Sequence, residues 1–210
     1  MIKRVSPLDM GLEPHQELVH NGWPITLSYK QEKSPCSLFI TDLSHIPKWS
    51  LQGSDLVAFQ PAGLKIPVRP GEAIFDRGIL IVRLTPNECR IMVFDDQTHE
   101  FTSPGYIELA DAYAVFAVVG PQCLEVLSKL SPVDLESPYL VLPSAAQAPV
   151  EDIPCLVLRL EGECKTPGLI VSAVRGYGQF LLNVFMDAGR EYGITPGGWE
   201  RFRNWLRPKI

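Results

Sequence analysis

The sequence predicts an α+β protein with mostly antiparallel sheets, and three observations carry that class. Nineteen prolines spread through 210 residues break the chain into short pieces and forbid long helices, because proline lacks the amide hydrogen and clashes with the preceding turn. Short Val-, Ile- and Leu-rich runs recur between the breaks, which is the pattern of buried strands. A few other stretches space their apolar residues three to four apart and read as amphipathic helices.

In chain order, strands are expected at 23–29, 37–41, 49–52, 78–84, 88–94, 112–119, 155–160 and 168–174. Thr85-Pro86-Asn87 reads as the turn of a hairpin, because Pro presets φ and Asn tolerates a left-handed conformation. Helices are expected at 54–59 with Ser54 as N-cap, at 121–129 where Leu124, Val126 and Leu127 form one stripe, at 178–192 and at 198–206. Residues 137–149, with three prolines and an Ala-Ala pair, read as a loop. The composition shifts near 95–105, which divides the chain into an N-terminal α+β lobe, 1–104, and a C-terminal α+β lobe, 105–210, packed tightly enough to count as one domain. No internal repeat is visible.

An apolar content of 46% is enough for a sizeable core. The net charge of −5 argues against nucleic acid as a partner, since phosphate binding needs clustered Lys and Arg. The basic tail at Arg201, Arg203, Arg207 and Lys209 reads as a helix turn anchored on the core by Phe202 and Trp205. No apolar segment follows the N-terminal Lys3-Arg4 pair as a secretory signal would require, and none reaches membrane length, so the expectation is a soluble, cytoplasmic protein without a membrane partner. Five cysteines without a CxxC pair fit neither a zinc site nor a disulfide framework. Cys36, Cys89, Cys123 and Cys155 read as buried thiols, and Cys164, between Glu163 and Lys165, as the one open to reaction.

The stretch Phe39-Ile-Thr-Asp-Leu-Ser-His45 places polar Asp42, Ser44 and His45 directly behind an apolar run. It belongs to an ordered series: Ser6-Pro7-Leu8, then Gly22-Trp23-Pro24 with Tyr29, then Asp42-Leu43-Ser44-His45, then Arg69-Pro70-Gly71-Glu72-Ala73. That order resembles the aminomethyltransferase (glycine-cleavage T protein) family. Ala114 to Leu127, with Gly120-Pro121 between strand and helix, and Ala188-Gly189-Arg190-Glu191-Tyr192-Gly193 continue the likeness across almost the whole chain. The resemblance implies a two-lobed, folate-binding fold around a central cavity, tetrahydrofolate as cofactor, and transfer of a one-carbon unit from an amine. Family members continue into a further C-terminal β domain that this sequence lacks, and in this it is similar to the gamma subunit of heterotetrameric sarcosine oxidase, which assists a larger partner.

The resemblance also assigns candidate residues. A pterin edge presents donors, so the family grips it with carboxylates. At those positions stand Thr166, Pro167 and Ile170 around a retained Gly168, and Glu161 and Glu163 lie just upstream. Asp76 takes the place of the family's acid/base aspartate, although Asp76-Arg77-Gly78 also reads as a plain tight turn. Asp42 and His45 are candidate cavity residues, or satisfy turn amides and carbonyls locally. Trp23 is a candidate stacking surface or core, and Arg159 a candidate carboxylate binder or a solvated strand end. Three adjacent polar residues cannot form a hydrolase relay, and no G-x-S-x-G word exists. Two function classes follow: a tetrahydrofolate-linked transferase acting on a small amine, or a non-catalytic subunit or pseudoenzyme docking a larger oxidoreductase or methyltransferase.

Overall fold

The computed structural model of the chain describes residues 3–30, 32, 37–137 and 140–206. Its strands are β1 (Pro14–His20), β2 (Trp23–Tyr29), β3 (Phe39–Asp42), β4 (Lys48–Gln52), β5 (Ala73–Asp76), β6 (Ile79–Thr85), β7 (Glu88–Val93), β8 (Tyr106–Glu108), β9 (Tyr113–Val119), β10 (Ser144–Val150), β11 (Ile153–Glu161), β12 (Pro167–Val174) and β13 (Thr195–Pro196). Its helices are α1 (Cys123–Leu130), α2 (Gly178–Ala188) and α3 (Trp199–Leu206). The α+β class with mostly antiparallel sheets is the one found.

A six-stranded sheet runs in the order β10-β11-β12-β9-β3-β13 and a five-stranded sheet in the order β5-β6-β7-β4-β8. Every pairing in them is antiparallel except the short parallel contact of β13 with β3. The larger sheet is apolar on both faces because both are covered. Ala114, Phe116 and Val118 of β9 face α1 and α2, packing with Val126, Leu181 and Phe185. Val115, Ala117 and Val119 face the other way, onto Leu80, Val82, Met92 and Phe94 of the smaller sheet and onto Phe202 and Trp205 of α3. The far face of the smaller sheet is covered by 3₁₀ turns at Leu56–Ala58 and Pro61–Gly63 rather than by a helix. The two sheets also touch at one corner, where Ala145 N–H donates to Gly71 C=O at 3.1 Å beside a Glu72–Ser144 bridge.

The structure adds the short strands β5, β8 and β13 to those expected, and it differs from the sequence expectation at four further places. The helix expected over 54–59 is only the 3₁₀ turn, whose start receives no side-chain cap; Pro61 follows too soon for a longer helix. The helix expected to reach 192 stops at Ala188, and after Gly189 the chain tightens into a 3₁₀ turn over Arg190–Tyr192. The loop expected over 137–149 contains most of β10, an edge strand, where a proline such as Pro149 costs no ladder hydrogen bond. β1 was not foreseen from apolar patterning, since it is polar and exposed almost throughout. It is built by Asn21-Gly22, whose φ values of 51° and 82° give the type I′ turn that matches strand twist.

Cys89, Cys123 and Cys155 are buried, and burial pushes their thiols up to about 11, 12 and 11. Cys164 is exposed. Cys36, Arg207 and Lys209 lie outside the described residues. Phe202 and Trp205 anchor α3 as expected, and Arg203 reaches Asp96 at 2.7 Å. No helix among the described residues is long and apolar enough to cross a membrane.

Candidate functional site

β3 ends at Asp42, and the next three residues turn the chain back on itself. Ser44 N–H donates to Asp42 Oδ1 at 2.8 Å, an Asx turn. Leu43 N–H donates to Val115 C=O at 2.8 Å, and Val115 N–H donates to Ser44 Oγ at 3.2 Å, so the turn is pinned to β9. Ser6 Oγ donates to Asp42 Oδ2 at 2.5 Å and brings the N-terminal segment down over the turn. His45 follows, its ring set edge-on to Trp199 at 4.8 Å between centroids.

Behind this turn, Lys48 is fully buried. Its register on β4, opposite Met92, aims it inward, where Nζ donates to Ser44 C=O at 2.8 Å and Ile46 C=O at 3.0 Å. Burial pushes the ammonium down to about 8, partly offset by Asp42 and Asp111. Burial raises the Asp42 carboxyl above its ordinary value, opposed by the Ser6 and Ser44 hydrogen bonds and by Lys48. Burial, with the Lys48 charge adding, pushes His45 down to about 3. The residue as a whole is only partly buried, but Nε2 is shut off from solvent and has no hydrogen-bond partner.

Asp42 and His45 open onto a cavity of about 210 Å³. Its roof is the segment from Ser6 to Pro14, its side the β1–β2 hairpin through Glu17, Ile25, Thr26 and Tyr29, and its floor Thr41 with Gly197. Three of the four words in the ordered sequence series therefore converge here. The fourth does not: Gly71 and Glu72 join the two sheets at their shared corner.

The other sequence candidates lie elsewhere. Asp76 closes β5 and pairs with Ile79 across Arg77 (φ 48°) and Gly78 (φ 74°), a two-residue hairpin turn; its side chain is 61% exposed and sits 3.4 Å from the Arg77 guanidinium. Arg159 on β11 donates to Leu135 C=O and lies 3.9 Å from Glu161. Thr166 offers its carbonyl to Trp205 Nε1–H at 3.0 Å. Trp23 is 2% exposed, between the guanidinium groups of Arg4 and Arg175 at 5.7 and 5.9 Å. None of these four lines the cavity. Gly168 has a packing reason of its own, since a Cβ there would sit 2.4 Å from the Trp205 ring. Sequence reasoning missed Lys48 and Glu17, which carry no motif; only strand register shows where they point. Among the described residues no group of three or more His, Cys, Asp or Glu could hold a metal ion.

No protein-family model and no curated protein matches the chain. Among solved structures it is similar to heterotetrameric sarcosine oxidase from Corynebacterium sp. U-96 in complex with pyrrole 2-carboxylate, with a TM-score of 0.62 and 17% identity over 76% of this chain and 87% of that one. It is also similar to the glycine cleavage system aminomethyltransferase T from Bartonella henselae, with a TM-score of 0.65 and 14% identity over 94% of this chain. The match spans 60% of that aminomethyltransferase chain. At such identities the likeness is one of fold, and the aminomethyltransferase-like fold expected from the sequence is the fold found.

Proposed function

We propose that the chain is a non-catalytic subunit with an aminomethyltransferase-like fold, docking a larger amine-oxidising or methyltransferase partner. The observation that carries this is the size of the cavity. At about 210 Å³ the cavity at Asp42 and His45 falls below the roughly 300–1,000 Å³ of ordinary small-molecule sites, and tetrahydrofolate carries an aminobenzoyl tail beyond its pterin; a wider hollow of about 490 Å³ beside Asn183, Asp187 and Arg190 holds none of the candidate residues. Two further facts support it. The positions of the family's pterin-gripping acids hold Ile170, fully buried in the core, and Thr166, whose carbonyl serves Trp205. Val174, Tyr177 and Phe180 leave an apolar surface about half exposed at the start of α2, the kind of patch that marks protein contacts.

A second reading, a tetrahydrofolate-dependent transferase in one-carbon metabolism with Asp76 as acid/base, is favoured by the 94% coverage of this chain in the aminomethyltransferase comparison. Calorimetric titration with tetrahydrofolate and its 5-formyl analogue separates the two. The subunit reading expects no heat at millimolar ligand, and co-elution of a larger oxidoreductase or methyltransferase chain with the tagged protein. Micromolar binding, about 8 kcal/mol, would establish the second reading instead, and Asp76→Asn should then abolish aminomethyl transfer.

A further inference from the structure

We propose that the outer edge of β1 receives an extended, lysine- or arginine-bearing segment of the larger partner, which adds a further strand to the β1–β2 hairpin. The proposal rests on the reading of the chain as a docking subunit, and it names the surface used and the chemistry that the partner brings.

The hairpin fixes which backbone groups face outward. Asn21-Gly22 forms a two-residue type I′ turn, so the closing pair His20 and Trp23 exchanges hydrogen bonds across the ladder. Antiparallel pairs then alternate: Val19–Pro24 and Glu17–Thr26 are not hydrogen-bonded to one another, and Leu18–Ile25 is. Pro24 agrees with this assignment, because it has no amide hydrogen to give to the ladder. The N–H and C=O groups of Glu17 and Val19 therefore point away from β2. Among the described residues no other backbone group bonds to them.

Other sheet margins are blunted. β8 and β13 have three and two residues, β5 has four, and β10 carries Pro149 and is bridged to Glu72 through Ser144. β1 is seven residues long and exposed over nearly all of its length. Its irregular register lies between Pro14 and Glu17, which blunts only the first half of the edge. From Glu17 to His20 the strand pairs regularly, bears no Lys or Pro, and leaves Val19 71% exposed. Such an edge is a ready template for strand addition.

Charge selects the occupant. No Lys or Arg occurs between residues 5 and 29, while Asp9, Glu13 and Glu17 are exposed there. A second copy of the chain would bring the same carboxylates alongside one another, which opposes pairing. A strand with Lys or Arg at alternate positions instead sets its cations on the Glu17 face and its intervening apolar residues beside the partly exposed Leu18.

The test titrates the full chain with the blocked peptide Lys-Val-Lys-Val-Lys-Val-Lys and, in parallel, with the same peptide carrying Glu in place of each Lys. The expected result is saturable binding of the lysine peptide at least about tenfold tighter than the glutamate peptide. Val19→Pro, which removes an outward N–H and no ladder bond, should weaken that binding by a similar factor. Val19→Thr, which keeps the amide, should leave it unchanged. The wild-type chain gives a readout that needs no variant: hydrogen exchange at the Glu17 and Val19 amides should slow when the lysine peptide binds. Equal affinity for the two peptides, no binding of either, undiminished binding by the proline variant, or unprotected Glu17 and Val19 amides would overturn the proposal. A concentration-dependent dimer that Val19→Pro abolishes would also overturn it, by assigning the edge to a second copy. Failure of the subunit reading shows separately: tetrahydrofolate binding overturns that reading whatever the peptides do. A partner that co-elutes equally well with wild type and Val19→Pro leaves the subunit reading standing and overturns the edge alone.

Discussion

Lowering the pH from 7 toward 4 is expected to remove about 2 kcal/mol of stability through the single imidazole of His45. Burial, reinforced by the Lys48 and His20 charges, pushes its pKa down to about 3 from the ordinary 6.5. The unfolded ring takes up a proton below about 6.5, while the folded ring refuses one until about 3. Within that window the unfolded chain binds more protons. Stability is therefore complete above pH 6.5 and falls as the pH drops toward 3. The whole shift would carry on the order of 5 kcal/mol; the partial exposure of the residue reduces that to about 3, of which about 2 is lost by pH 4 because the window closes only near pH 3. Asp42 opposes the trend, since a buried carboxyl with a raised pKa favours the fold as it becomes protonated. His45→Phe keeps a ring against Trp199 and removes the titrating nitrogens. Urea midpoints of the two proteins, compared at pH 7 and pH 4, should diverge, with the variant losing less; parallel changes would rule His45 out as the cause.

Phe202→Ala is expected to cost about 3–5 kcal/mol, a large share of the 5–15 kcal/mol that holds an ordinary domain folded. Phe202 has no exposed surface and belongs to the core shared by the two sheets and α3. Its ring lies 5.7 Å from Trp199, 5.4 Å from Trp205 and 5.9 Å from Phe94 between centroids, so truncation removes three aromatic contacts and leaves a cavity between rigid neighbours. Phe202→Leu, which retains most of the volume, should cost less than about 1.5 kcal/mol. Guanidinium unfolding followed by tryptophan fluorescence measures both. A loss under about 1 kcal/mol for the alanine variant would mean that α3 is not fastened to the sheets in the way described.

Much of the architecture is legible in the sequence because β9, β11 and β12 are apolar on both faces and long enough to stand out from their surroundings. Edge elements are harder. β10 carries Pro149 and three alanines, and only its place at the margin of the sheet makes that composition tolerable. β1 has almost no apolar patterning, yet Asn21-Gly22 is the strongest short hairpin signal a sequence offers and locates it. Asp42 and His45 are legible as polar residues behind an apolar run. Lys48 is not, because Pro47-Lys48-Trp49 has the composition of a solvated strand start and only the pairing with Met92 turns the lysine inward. The full lining of the cavity is not legible for a similar reason: beside Asp42 and His45 its walls come from Ser6, Glu17 and Gly197, which only the folded hairpin and β13 bring together.

The position of β3 between β9 and β13 has a consequence for biosynthesis. Phe39 and Ile40 are fully buried in the finished protein, but both strands that flank them are translated later, β9 by roughly 75 residues and β13 by roughly 150. At about 5–20 residues per second, the nascent chain presents this apolar segment for many seconds before the ribosome supplies its last neighbour. During that interval it is a substrate for chaperones and for aggregation alike, and a translational pause before residue 195 prolongs it.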